Sequence, residues 1–337
     1  MIRQTLGRWI RKKSSREEAY HRLRARFHDS AFPPLAFLRR FLASRRRRRA
    51  AFPEVVNLET ASVCNARCVM CPYGSMKRSR EFMPMDLYRR LVDECAEHRL
   101  PLLWTFLIGE PLLDKTLADK IRYAKKRGIP TVGFYTNGSL LDGARAGEIF
   151  DAGTDHISIS MDGGTRETFE AVRRGLSFET VEGNIRGLMR LRGERRLARP
   201  RVVLDFVVME ENRNEAEEFR RRWSLIVDDV YFARRLNWTG DLSGDEAPAV
   251  TTYRVRRPCF RLWSQMVVLS DGRVPLCCND YEGRVILGDA RESSLSGIWR
   301  SGKMEEIRRA HLAGEYDRIP ICASCNAWES LAFPWWW

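Results

Sequence analysis

Between Val55 and Ala233 six short β-branched or apolar runs alternate with helical stretches, and few folds accept that rhythm. The runs are Val55–Val63, Leu102–Gly109, Thr131–Thr136, His156–Ser160, Val202–Met209 and Asp229–Ala233. Between them lie stretches of helical period at Met85–His98, Thr116–Arg127, Ala144–Ala152, Glu167–Arg173, Phe178–Arg192 and Asn214–Trp223. Gly128 and Gly153 stand where two of these helices should end. Strand–helix repeats of this kind pair as a parallel sheet with right-handed crossovers. Six units fall short of the eight that close a full barrel. The expected fold is therefore α/β: a partial (β/α)6 TIM-like barrel, open on one side, with its chemistry on the loops that follow the strands.

The first such loop reads V-C-N-A-R-C-V-M-C-P-Y-G from Val63 to Gly74. Cys64, Cys68 and Cys71 are spaced C-x3-C-x2-C. A closed structural zinc site takes four protein ligands, and three thiolates fall one short. Three cysteines on a cubane iron–sulfur cluster leave one iron open to a small molecule. Cys95, on the apolar side of the Met85–His98 helix, reads as a core residue.

The spacing resembles the signature of the radical S-adenosylmethionine (SAM) enzymes, and three later loops extend the resemblance over residues 53–240. Gly109-Glu110-Pro111 resembles the G-G-E-P element, with Ile108 in place of the first glycine; Thr136-Asn137-Gly138 resembles the T-N-G loop; Ser160-Met161-Asp162-Gly163 resembles the S-x-D-G loop. The resemblance implies that the open iron of a [4Fe-4S] cluster chelates SAM. Reduction then yields methionine and a 5′-deoxyadenosyl radical, which abstracts a substrate hydrogen atom. It further implies that the Gly109-Glu110-Pro111 element holds the SAM amino group, that Thr136 and Asn137 belong to the SAM site, that Ser160 and Asp162 lie near its carboxylate and ribose, and that Met70 packs on adenine.

Past a polar, non-periodic stretch at 241–258, read as a linker, come Cys259, Cys277, Cys278, Cys322 and Cys325. Asp271-Gly272 between two apolar runs is a hairpin signal that would bring Cys259 near Cys277. Four ligands close a site, and spacing alone does not choose between zinc and a cubane. The set over 259–330 resembles the short "twitch" form of the SPASM extension, which implies an auxiliary [4Fe-4S] cluster on Cys259, Cys277, Cys322 and Cys325. The spacing resembles in particular that of the dehydrogenases that oxidise aminocyclitol alcohols. A cluster with four cysteines can accept an electron from a substrate radical, which favours oxidation of a sugar or aminocyclitol alcohol. Cys278 is left over: it is either a packed or alternate ligand, or the hydrogen donor of a sugar or peptide epimerase. A ribosomal-peptide maturase is a further reading, as is a non-enzymatic zinc protein that binds nucleic acid. Arg173, Arg234, Asn237 and Trp238 are expected to line the barrel mouth, and the general base stays unassigned.

The net charge is +14, and nearly all of it falls in the first fifty residues, which include the run Arg45–Arg49. This basic arm (1–52), with interleaved aromatics, could lie on an anionic membrane, dock on its own barrel, or contact nucleic acid, the last being the least favoured. The tail at 331–337 is aromatic and ends in three tryptophans, which favour membrane interfaces. Clustered cysteines, no secretory segment and no apolar run of spanning length lead to the expectation of a cytoplasmic enzyme, peripheral at the inner membrane surface through the arm. Its expected partners are a small-molecule or glycan substrate and an electron donor such as flavodoxin or ferredoxin.

Overall fold

The computed structural model describes residues 51–242, 256 and 258–330. The expectations for the arm before residue 51, for most of the linker and for the 331–337 tail lie outside the described residues.

Seven parallel strands form one sheet: β1 (Val55–Leu58), β2 (Leu102–Trp104), β3 (Thr131–Thr136), β4 (His156–Ser160), β5 (Arg201–Val208), β6 (Asp229–Arg234) and β7 (Gln265–Val268). Their order is β6-β5-β4-β3-β2-β1-β7. The crossovers carry α1 (Met85–Glu97), α2 (Leu117–Lys126), α3 (Gly143–Asp151), α4 (Arg166–Val172), α5 (Phe178–Glu194) and α6 (Ala216–Trp223). This is the partial barrel the alternation predicts. Each helix buries one stripe on the sheet. On α1 the stripe is Tyr88, Leu91, Val92 and Cys95, and Cys95 is a fully buried core residue as expected. Polar N-caps start several helices: Asp142, Thr165 and Ser177 each accept a backbone N–H three residues on.

Strand alternation sorts the side chains into two faces. On β5, Val202, Leu204 and Phe206 join the core under the helices. Val203, Asp205 and Val207 therefore point the other way, into the barrel. By the same rule Tyr135 on β3, His156, Ser158 and Ser160 on β4, and Tyr231 on β6 face the interior.

The hairpin expectation needs correction. The Asp271-Gly272 turn is present, with Gly272 at φ +91° and its N–H donating to Leu269 O at 2.9 Å. Its two arms, however, enter different sheets. β7 pairs parallel with β1, Val56 opposite Met266 and Leu58 opposite Val268. β8 (Arg273–Pro275) pairs antiparallel with β9 (Ile286–Asp289). Met266, Val267 and Val268 are buried on both faces, which suits a strand within a covered parallel sheet. The second cysteine segment thus contributes a strand to the barrel. Beyond β9 the chain forms α7 (Leu295–Trp299), α8 (Gly302–Ala313) and α9 (Pro320–Ala323).

Polar locks hold the halves together. Glu282 accepts from Lys77 N at 2.7 Å and Arg78 N at 3.2 Å, and Arg78 pairs with buried Glu59. Glu94 of α1 accepts from Leu295 N and Ser296 N, both at 2.8 Å. No helix among the described residues is long and apolar enough to cross a membrane.

Candidate active site

The loop carrying Cys64, Cys68 and Cys71 follows β1 and is held by backbone bonds to the chain after α4. Arg67 N donates to Arg174 O at 2.8 Å and Val69 N to Val172 O at 3.0 Å. The Tyr73 hydroxyl accepts from Cys64 N at 2.9 Å, and the Tyr73 ring lies between the Arg67 and Arg80 guanidiniums, each 4.9 Å from its centre. Burial pushes the Cys64 thiol up to about 11 and the Cys71 thiol up to about 12, and the neighbouring cysteines add to both. The thiols thus stand near enough to feel one another's charge, and bound iron would have to displace their protons. No three His, Cys, Asp or Glu side chains among the described residues close around a single ion. Zinc draws its thiolates to about 2.3 Å from one centre, whereas in a cubane each cysteine binds its own iron. The donor set, three soft, half-buried sulfurs in a cation-flanked loop, fits the cluster.

The Gly-Glu-Pro loop comes close at Gly109, one residue after Ile108. A Cβ on Gly109 would lie 2.2 Å from Ala61 O and 2.7 Å from Val63 O. Ile108 is buried with Tyr73, Met76 and Tyr281. Glu110 is buried, and protein donors already engage both of its oxygens: Oε1 accepts from Thr136 Oγ at 2.7 Å and Leu112 N at 3.1 Å, Oε2 from Asn137 N at 2.7 Å. It joins the Pro111 turn to the Thr136-Asn137-Gly138 loop. Asn137 in turn donates to Asn65 Oδ1 at 2.8 Å, beside the first cysteine.

Asp162 is fully buried and also engaged. It accepts from Val207 N at 2.5 Å and pairs with Arg173 Nε. Arg173 Nη1 lies 3.6 Å from Cys68 Sγ. Burial works against that guanidinium's charge, but Asp162 and Cys68 outweigh it and keep it protonated. Asp162 therefore reaches the cluster loop through Arg173. Ser160 lies at the end of β4, half-buried, opposite Asp205. Met70 packs on Val172 and Met209, and its carbonyl accepts from Trp238 Nε1 at 2.8 Å. That side chain is already buried on protein, where the resemblance implied an adenine face.

Trp238 and Asn237 follow β6 and join the two cysteine sets. Asn237 Nδ2 donates to Ser324 O at 2.5 Å, between Cys322 and Cys325. Cys259, Cys277, Cys322 and Cys325 converge from separate segments. Burial raises Cys259 and Cys277, and burial pushes Cys322 up to about 12, the neighbouring thiols again contributing. Four half-buried thiols brought together from separate segments fit an auxiliary cluster. Cys278 stays close enough to Cys259, Cys277 and Arg261 to act on their charges, and it packs on Leu107, Val267 and Leu269.

Three interior residues escaped the sequence reading. His311 of α8 accepts Cys259 N on Nδ1 at 3.2 Å, so its proton sits on Nε2, 3.4 Å from Cys322 Sγ. Arg261 is a buried cation whose charge is held by Cys278 first and by Cys259 and Cys277 as well, against the cost of burial. Asp205 faces the interior beside Tyr135 and Tyr231. A lone His, Arg or Asp carries no spacing signal, so no motif search finds these three.

Residues 58–222 match the Radical SAM superfamily and residues 259–326 the SPASM iron–sulfur cluster-binding domain. The chain is similar to the tungsten-containing aldehyde ferredoxin oxidoreductase cofactor-modifying protein of Pyrococcus furiosus, 27% identical over 82% of this chain and 88% of that one. It is also similar to the S-adenosyl-L-methionine-dependent 2-deoxy-scyllo-inosamine dehydrogenase of Niallia circulans, 23% identical over 81% of this chain and 92% of that one. The crystal structure of BtrN in complex with AdoMet and 2-DOIA superposes with a TM-score of 0.55 at 20% identity, covering 82% of this chain and 93% of that one. The first domain binds a [4Fe-4S] cluster and SAM, and the second an auxiliary iron–sulfur cluster. The chain is an enzyme of the radical SAM superfamily that carries a C-terminal SPASM domain.

Proposed function

We propose that the enzyme oxidises an alcohol carbon of a small polyhydroxy substrate, of the sugar or aminocyclitol class, to a carbonyl. The observation that carries this reading is the second cysteine set. Its four thiols come from separate segments to stand near enough to feel one another's charge, with Arg261 and His311 beside them. When bound, the two clusters and SAM supply a hydrogen-atom acceptor and a one-electron acceptor. The chain's own residues do the rest. Cys64, Cys68 and Cys71 would hold the first cluster, Cys259, Cys277, Cys322 and Cys325 the second. Gly109, Glu110, Pro111, Thr136 and Asn137 keep the SAM-side loops in place, and Arg173 sets a cation beside Cys68. The likeness to a named dehydrogenase over most of both chains supports the same reading. A flavodoxin or ferredoxin is the fitting reductant, and the cytoplasm the fitting compartment.

The test is an anaerobic reconstitution followed by turnover on 2-deoxy-scyllo-inosamine and a panel of related alcohols. About eight irons and eight sulfides per chain, with carbonyl and 5′-deoxyadenosine formed together, is the expected result. A second reading, epimerisation, is favoured by one observation: Cys278, beside the other four cysteines, packs on the barrel residues Leu107, Val267 and Leu269. An inverted product carrying solvent deuterium, lost in Cys278→Ala, would replace the dehydrogenase reading with that one.

A further inference from the structure

An alcohol that becomes a carbonyl releases a proton inside the partial barrel, and the interior contains a line of polar side chains able to carry it. Asp205 stands in the upper layer of the barrel, opposite Ser160. One layer down is Ser158, opposite Val203, and at the floor is His156, opposite Arg201. We propose that Asp205 accepts the hydroxyl proton of the substrate and that Ser158 and His156 relay it to the floor of the barrel. The inference rests on the dehydrogenase reading and adds to it the base and the proton's way out.

Three observations carry it. Asp205 is only half-buried as a residue, yet its Oδ2 is sealed and has no hydrogen-bond partner. A buried carboxylate oxygen left unmatched costs stability and needs a reason. Next, Ser158 is 2% exposed and lies on β4 one layer below the Ser160–Asp205 pair, with its hydroxyl beside the Asp205 carboxyl and the Tyr135 phenol. The same hydroxyl lies 3.2 Å from His156 Nε2. Finally, the floor is shaped around that imidazole. Trp104 meets it edge-on at 5.2 Å, and Gly133 makes the space, since a Cβ there would lie 2.7 Å from His156 O and from the Trp104 ring.

The electrostatics agree. Burial pushes Asp205 up to about 7, with Ser158 drawing it back, so it can take and return a proton near neutral pH. Burial and then Arg201 bring His156 down to about 4, so it stays neutral while a proton passes. The charged and titratable groups facing Asp205 are Tyr135 from β3, Asp162 and Arg173 from beyond β4, and Tyr231 and Asp229 from β6. In the balance for an alcohol, the hydrogen atom on carbon goes to the SAM-derived radical and one electron to the auxiliary iron–sulfur cluster. The hydroxyl proton goes to Asp205, and the C–O bond becomes C=O.

The experiment needs no substrate. In the full-length chain with both clusters oxidised, the Asp205 carboxyl is followed by infrared spectroscopy against pH and identified by its loss in Asp205→Asn. The imidazole nitrogens of His156 are followed by 15N NMR and assigned with His156→Gln. The expected result is that His156 resonances move over the pH interval in which Asp205 ionises, and that Ser158→Ala removes this co-titration. His156 signals that stay still as Asp205 ionises, or that still follow it in Ser158→Ala, overturn the path. Turnover separates the two levels of inference. Asp205→Asn should lower carbonyl formation by about 10²–10⁴-fold while 5′-deoxyadenosine is still released. A wild-type enzyme that forms no carbonyl from any alcohol defeats the dehydrogenase reading. An Asp205→Asn enzyme that oxidises at the wild-type rate defeats only the proton path.

Discussion

The two cysteine sets solve the same ligation problem in opposite ways. The first takes all its sulfurs from one loop, Cys64 to Cys71, and its neighbours are backbone and loop contacts: Val172 O, Arg174 O and the close approach at Gly109. The second gathers Cys259, Cys277, Cys322 and Cys325 from segments far apart in sequence, and its neighbours are side chains, Arg261 and His311. A site with an open position needs its loop held rigid so that a small molecule can bind. A closed site that trades electrons needs its charge environment set, and buried donors and cations near the sulfurs do that. The first set therefore depends on shape, with Arg173 beside Cys68 as its cation, and the second mainly on electrostatics.

The largest expected effect comes from removing one sulfur from each. Cys71→Ala and Cys322→Ala should each lower the iron content from about eight to about four per chain. Only Cys71→Ala should abolish 5′-deoxyadenosine release. Equal loss of SAM cleavage in Cys322→Ala would break the division of labour. A smaller effect tests the shape half. Gly109→Ala forces a Cβ to 2.2 Å from Ala61 O and should cost about 1–3 kcal/mol or more in a urea unfolding midpoint. Gly302→Ala, where nothing lies within 4 Å of the new Cβ, should leave the midpoint unchanged or slightly raised. A Gly109→Ala protein as stable as Gly302→Ala would show that the close approach is not needed.

The smallest effects test the electrostatic half. Arg261→Gln removes a buried positive charge beside the second set and should lower that cluster's reduction potential by some tens of millivolts, where about 59 mV is tenfold for one electron. His311→Gln should shift it in the same direction by less, because it loses one N–H···S contact and no charge. An EPR-monitored redox titration reads both, and an unchanged potential in Arg261→Gln would mean that the second set is closed but not tuned.

Much of this was legible in the chain itself. The strand and helix rhythm specified a parallel, partial barrel, because apolar period and capping residues act within a few residues of one another. The cysteine spacing and the three strand-end loops marked the SAM-side site, because its residues lie on consecutive βα turns. There Glu110 and Asp162 also accept from protein donors, and Arg173 links Asp162 to the cysteine loop.

What the sequence by itself determined, then, was the architecture and the two cysteine sets proposed here as ligands. Only the tertiary structure decided that β7 joins the sheet beside β1, that Cys278 packs on Leu107, Val267 and Leu269, and that Asp205, Ser158 and His156 share one line. The physical reason is the range of the interactions. Periodicity and turn chemistry are local, while pairing across 200 residues and the meeting of single polar side chains follow from burying two apolar faces at once, which no local pattern records.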